Sequence, residues 1–102
     1  MEVRRRDFDT PAGKLEGIQI ECPWFNVVWV AGRRGMVSCA AINAEACQRF
    51  EVPCAIASSS PQEPIRTIED LVSRKVKAAN PAAEALGISP GMPVRDALAL
   101  LA

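Results

Sequence analysis

The side chains best suited to chemistry in this chain are four cysteines, at positions 22, 39, 47 and 54. Their separations contain no C-x-x-C pair, so neither a zinc knuckle nor a thioredoxin-like redox motif is present. Histidine and tyrosine are both absent. Ser-His-Asp and Cys-His catalysis are therefore excluded within one chain, and imidazole-based zinc sites lose their usual ligand. A general base working near neutral pH would have to be a shifted carboxylate, lysine or thiolate. Cys39 is the candidate nucleophile. It stands four residues before Asn43, where a helix is expected to start, and a helix N-terminus or an arginine lowers a thiol pKa. The plainer reading makes Cys39 a small core hydrophobe, as for the other three cysteines. Arg33, Arg34, Asn43 and Arg66 are the candidate ligand-binding residues. Guanidinium forks suit carboxylates and other oxyanions, although two arginines at a loop tip also serve simply to solvate it. No cofactor and no metal site is implied.

The element that must position these residues runs from Phe25 to Asn43. Phe25 to Ala31 is apolar on both alternating faces, with Val27, Trp29 and Ala31 on one and Val28 and Val30 on the other. A strand with one wet face would alternate with polar residues, so this one belongs in the middle of a sheet, covered on both sides or by a partner chain. Met36 to Ile42 reads as the return strand, with Cys39 inside it. A two-residue turn would need positive φ at Arg33 and Arg34. A four-residue loop from Gly32 to Gly35, with the glycines supplying turn geometry, avoids this. It pairs Ala31 with Met36, sets Cys39 opposite Val28, and leaves Arg33 and Arg34 at the tip. Trp29 is expected in the buried core.

Upstream, Glu2 to Asp9 reads as an edge strand or a frayed terminus, and Thr10 to Gly13 as a turn. Lys14 to Cys22 alternates, with Ile18 and Ile20 on one side and Gln19 and Glu21 on the other, as in a half-solvated strand. Downstream, Asn43 caps a short helix from Ala44 to Phe50, and Cys54 to Ala57 is a further buried strand. Ser58 to Pro64 is a loop without the glycines and lysine of a phosphate-binding loop. The last third reads as helical. Thr67 to Asp70 resembles a capping box, Asn80-Pro81 a helix start, Gly87 a left-handed stop, and a final helix begins at Pro93. The expected fold class is α+β: an N-terminal antiparallel β-meander with a central buried hairpin, one further strand, and short C-terminal helices packed on one sheet face. A helix-turn-helix reading of the last helices is weak, because the final one carries only Arg95 as a base.

Gly35-Met36-Val37-Ser38-Cys39, Arg66 to Leu71, and Ala83 to Met92 with the closing Ala97-Leu98, taken together, resemble the YunC-like family, a bacterial and archaeal domain of unknown function (domain of unknown function 1805). The resemblance spans Lys14 to the C-terminus and implies a compact α+β domain over residues 1–102. It implies no reaction. It departs at Ala40, where the family leads one to expect glycine, and in the Ser/Pro loop.

The 102 residues carry 12 basic and 12 acidic side chains, a net charge of zero, which removes the electrostatic support for nucleic-acid binding. Val3 to Phe8 is charged where a signal peptide would be apolar, and no apolar run spans a bilayer. A cytoplasmic protein with free thiols and no membrane contact is expected. The leading functional expectation is a non-catalytic homo-oligomeric binding or interaction module, a dimer or trimer, with the small ligand unspecified. The alternative is a thiol-dependent enzyme or redox-sensitive protein using Cys39.

Overall fold

In the computed structural model, which covers residues 1–102, alternation in the first third of the chain becomes two long strands. β1 (Glu2–Thr10) and β2 (Gly13–Glu21) pair antiparallel along their whole lengths, turning at Pro11-Ala12. The first residues are thus a full edge strand, not a frayed end. β3 (Asn26–Ala31) follows antiparallel on β2, and β4 (Met36–Ser38) antiparallel on β3. Ala31 pairs with Met36, and Gly32 donates its N–H to the Gly35 carbonyl at 2.8 Å, closing the four-residue loop. The Cys39 N–H reaches the Val28 carbonyl at 2.9 Å, which is the register the loop length requires.

The return strand is shorter than its sequence suggests. It stops at Ser38, and Ala40 to Ile42 turn away, the Ile42 N–H bonding the Cys39 carbonyl at 3.2 Å. The chain has to leave the antiparallel meander here, because its next strand, β5 (Cys54–Ala57), lies parallel to β4. A parallel neighbour needs a crossover, supplied by α1 (Ala44–Gln48). Asn43 caps α1 as expected, its Oδ1 accepting the N–H groups of Glu45 and Ala46. The helix ends two residues before Phe50.

The last third is not wholly helical. Between α2 (Ile68–Val72) and α3 (Pro81–Glu84) lies a strand, β6 (Val76–Ala79), antiparallel to β5. Only Val76 of its four residues is buried, so it carries almost no alternation for a reader to find. The chain ends on α4 (Val94–Leu101). The result is one mixed six-stranded sheet in the order β1-β2-β3-β4-β5-β6, an α+β fold with one strand more than expected. The caps at Thr67 and Asn80 are present, and Gly87 takes a φ of +95°.

The core lies on one face of the sheet. Val28, Val30, Val37 and Ala55 meet Ile68 and Leu71 of α2 and Val94, Ala97, Leu98 and Leu101 of α4. Here the reading of β2 fails at Gln19, while Ile18 is buried and Glu21 exposed as expected. Gln19, expected in water, is 6% exposed and faces the helices, its Oε1 accepting the Ile68 N–H at 3.1 Å. That bond satisfies an orphan donor of the first turn of α2, which is why a polar residue sits in the covered layer.

The basic run Arg4-Arg5-Arg6 is divided by strand alternation. Arg4 and Arg6 both bond Glu69 on α2, and Arg5 bonds Glu16 at 3.0 Å on the opposite face. Glu69 lies nearly half in water, yet Arg4 first and then Arg6 pull its carboxyl from the ordinary 4.5 down to about 2. A carboxyl depressed by folding stabilises the protein above its unfolded pKa, and this is lost as pH falls from about 4.5 towards about 2. Exposure screens the pair, so the expected contribution is on the order of 1 kcal/mol. Glu69→Gln should lower the urea midpoint at pH 7 and flatten its fall over that acid window. An acid profile identical to the parent's would show that the pair contributes nothing.

Candidate functional site

The second sheet face has no C-terminal helix over it. Register places Arg5, Ile18, Trp29, Ser38, Ile56 and Ala78 in one row across the six strands on this side. Ile20 follows on β2, and Ala31 and Met36 form the next row on β3 and β4. α1 lies over the β5 end, where its Cys47 adjoins Cys54. Over β2 to β4 no helix lies on this side of the sheet, although Ile18 and Ser38 of this row are buried, at 5% and 0% exposed. Trp29, placed by its sequence in the buried core, is only half-buried, as are Ile20, Ala31 and Met36. The fully buried side chains of β3 are Val28 and Val30 on the helix side. A strand apolar on both faces was legible, but only one of those faces is filled by this chain.

The candidate site residues do not gather in one place. Cys39 is 5% exposed within the helix-side core, its Sγ accepting the Val28 N–H at 3.4 Å. Asn43 lies at the mouth of the largest cavity, about 700 Å³, with Glu45, Gln48 and Asn80. Apart from Glu45, the polar side chains there are committed to structure. Asn80 donates to the carbonyls of Ala44 and Val52 and accepts from the N–H groups of Cys54 and Ala83, while Gln48 Oε1 accepts the Ala82 N–H. Arg66 stands at the far end of β3, where its carbonyl accepts from Asn26 Nδ2 at 2.7 Å. It lines a recess of about 270 Å³ with Trp24 and Phe25, which are 89% and 59% exposed. Phe25 thus precedes β3 rather than opening a buried strand. The sequence signal for this was Pro23, which breaks β2 and frees the next two residues from the ladder.

Arg33 and Arg34 stand where the hairpin reading put them, exposed at the tip and without an ion pair. They line a cavity of about 300 Å³ with Gly32, Gly35, Glu51 and Pro53. The Arg34 N–H bonds the Leu101 carbonyl at 2.9 Å, and the Met36 N–H the Pro53 carbonyl at 3.0 Å. Glu51, across the cavity, has φ +57°, the one non-glycine residue with positive φ.

All four cysteines are free thiols. Burial, with Cys47 beside it, pushes the Cys54 thiol up to about 12. Cys39 and Cys54 are both buried, so a maleimide should modify them only after denaturation, whereas the partly exposed Cys22 and Cys47 should react in the native protein. Native-state labelling of Cys39 would return it to consideration as a nucleophile. No helix is long and apolar enough to cross a membrane.

A family model described as a domain of unknown function (DUF1805) matches residues 38–101. A crystal structure of a protein of unknown function from Thermoplasma acidophilum is similar with a TM-score of 0.87 at 18% identity, over 99% of this chain and 94% of that one. At that identity the likeness concerns the fold alone. No curated protein matches the chain. The family match begins at the last residue of β4, so β2 and β3, which carry most of the uncovered face, lie outside it.

Proposed function

The chain belongs to the DUF1805 family of unknown function, and from that premise we propose that it is a non-catalytic module that assembles with copies of itself through the uncovered sheet face. The observation that carries this reading is the part-exposed apolar layer of Ile20, Trp29, Ala31 and Met36, beside a buried Ile18, on the β2 to β4 part of a face where no helix of the chain lies. Contiguous apolar surface of this kind marks an interface. Total exposed area points the same way. The chain exposes 6158 Å², where a globular monomer of this mass exposes roughly 5600 Å².

The rim of the face favours a second copy as the occupant. Along β1 and β2 it carries Arg5 paired with Glu16, with Asp7 and Lys14 nearby in the same two strands. Signs are mixed, so an identical face meets no wall of like charge, whereas a strongly charged partner would find no complement. Self-complementary patches close most often into dimers, with trimers also available. Multi-angle light scattering at micromolar concentration tests the reading. A mass of two or three times 11.0 kDa is expected. A mass of 11.0 kDa that does not rise on concentration would reject it.

A further inference from the structure

We infer that the cavity at the tip of the β3–β4 hairpin is a receptor for a compact oxyanion, a carboxylate or a phosphate, held by Arg33 and Arg34. This goes beyond self-assembly and does not depend on it, because the cavity lies at the end of the strands.

Two observations converge there. The first is the two adjacent arginines, exposed and without a carboxylate partner in the chain. Of the other arginines, Arg4, Arg5 and Arg6 are ion-paired and Arg74 donates to the carbonyls of Ser58, Glu63 and Pro64, while Arg49, Arg66 and Arg95 are unpaired but stand singly, so what sets Arg33 and Arg34 apart is that two unpaired arginines line one cavity. The second is rigidity. A Cβ at Gly32 would collide with the Leu101 carbonyl, and one at Gly35 with the Pro53 carbonyl. With the Arg34 and Met36 N–H groups bonded to those same carbonyls, the backbone under the arginines is fixed from both sides. A fixed backbone lowers the entropy cost of ordering two long side chains around a ligand. Glu51 lines the same cavity, and its φ of +57° belongs to the left-handed cap that closes α1, where the Glu51 N–H bonds the Gln48 carbonyl and the Val52 N–H the Cys47 carbonyl.

The chemistry follows from the groups. Guanidinium forks match the paired oxygens of carboxylate and phosphate. A cavity of about 300 Å³ stands at the small end of ligand sites, which favours a compact anion over a nucleotide. Glu51 contributes one opposing charge, so the site has a built-in brake on anion affinity.

A titration of the ¹⁵N-labelled protein at low salt, with inorganic phosphate and separately with acetate, tests the proposal through the amide shifts of residues 32–35 and 51. Saturable shifts confined to those amides are expected, and the tighter of the two anions assigns the site to phosphate or to carboxylate. Arg33→Ala/Arg34→Ala removes exposed side chains only, so its spectrum should otherwise match the parent, with affinity at least tenfold weaker. Glu51→Gln should bind several-fold more tightly. The proposal is overturned by the absence of saturable shifts with both anions, by unchanged affinity in the double variant, or by weaker binding in Glu51→Gln.

Discussion

Gly32→Ala and Gly35→Ala are each expected to destabilise the protein by about 3 kcal/mol, the upper end of what overpacking costs. Neither glycine has positive φ, so turn geometry, the reason their sequence suggests, is not why they are needed. Space is. A Cβ on Gly32 would overlap the Leu101 oxygen and lie 2.7 Å from its carbonyl carbon, and one on Gly35 would overlap the Pro53 oxygen and lie 2.7 Å from Pro53 Cβ. These obstacles are backbone or ring atoms, and they cannot turn aside as the end of a flexible side chain would. The hairpin must lift off α4 in one case and off the entry to β5 in the other. Either movement breaks a backbone hydrogen bond, Arg34 to Leu101 or Met36 to Pro53. For a chain of 102 residues the melting temperature should fall by on the order of 15 °C. The two losses should be less than additive, because both variants move the same loop. Gly91→Ala is a useful contrast: its Cβ would meet nothing within 4 Å, so only its φ of +95° opposes the change. A Gly35→Ala protein melting with the parent would mean the hairpin tip is not packed as described.

The same loop shows how far the sequence could be read. Its length fixed the pairing of Ala31 with Met36 and the place of Cys39 opposite Val28, because L-residues resist the alternative two-residue turn. The caps at Asn43, Thr67 and Asn80 were equally legible, since each is a local agreement between one side chain and the N–H groups that follow it. What the sequence could not specify was which face of each strand the helices cover. Alternation in β2 separates Ile18 and Ile20 from Gln19, but only the position of α2 decides that Gln19 lies inside. Long-range packing also decided the candidate site. Arg33 and Arg34 share a cavity, while Asn43 and Arg66 fall in two others. Glu51 gave no signal by residue type, because the left-handed position that closes a helix, which it occupies after α1, usually falls to glycine or asparagine.

The place of Trp29 on the face away from the C-terminal helices changes what it is expected to do. Were it in the core, truncation would cost folding about 3–5 kcal/mol. On the uncovered face it is half-buried within one chain, opposite Ile18 and Ser38, and near the middle of the apolar layer. Its larger contribution should therefore be to association, where a central tryptophan is the residue type most often carrying 2 kcal/mol or more. Trp29→Lys should raise the dissociation constant at least about 30-fold and bring the light-scattering mass at micromolar concentration down to 11.0 kDa. Val28, its neighbour on β3, is fully buried on the helix side and supplies the converse. Val28→Ala should lower the denaturation midpoint while leaving the mass of the folded protein at the parent value. The pair separates the two faces within two adjacent residues of one strand. Should Trp29→Lys keep the parent's assembled mass, the copies meet elsewhere, and the uncovered sheet face is not the surface that joins them.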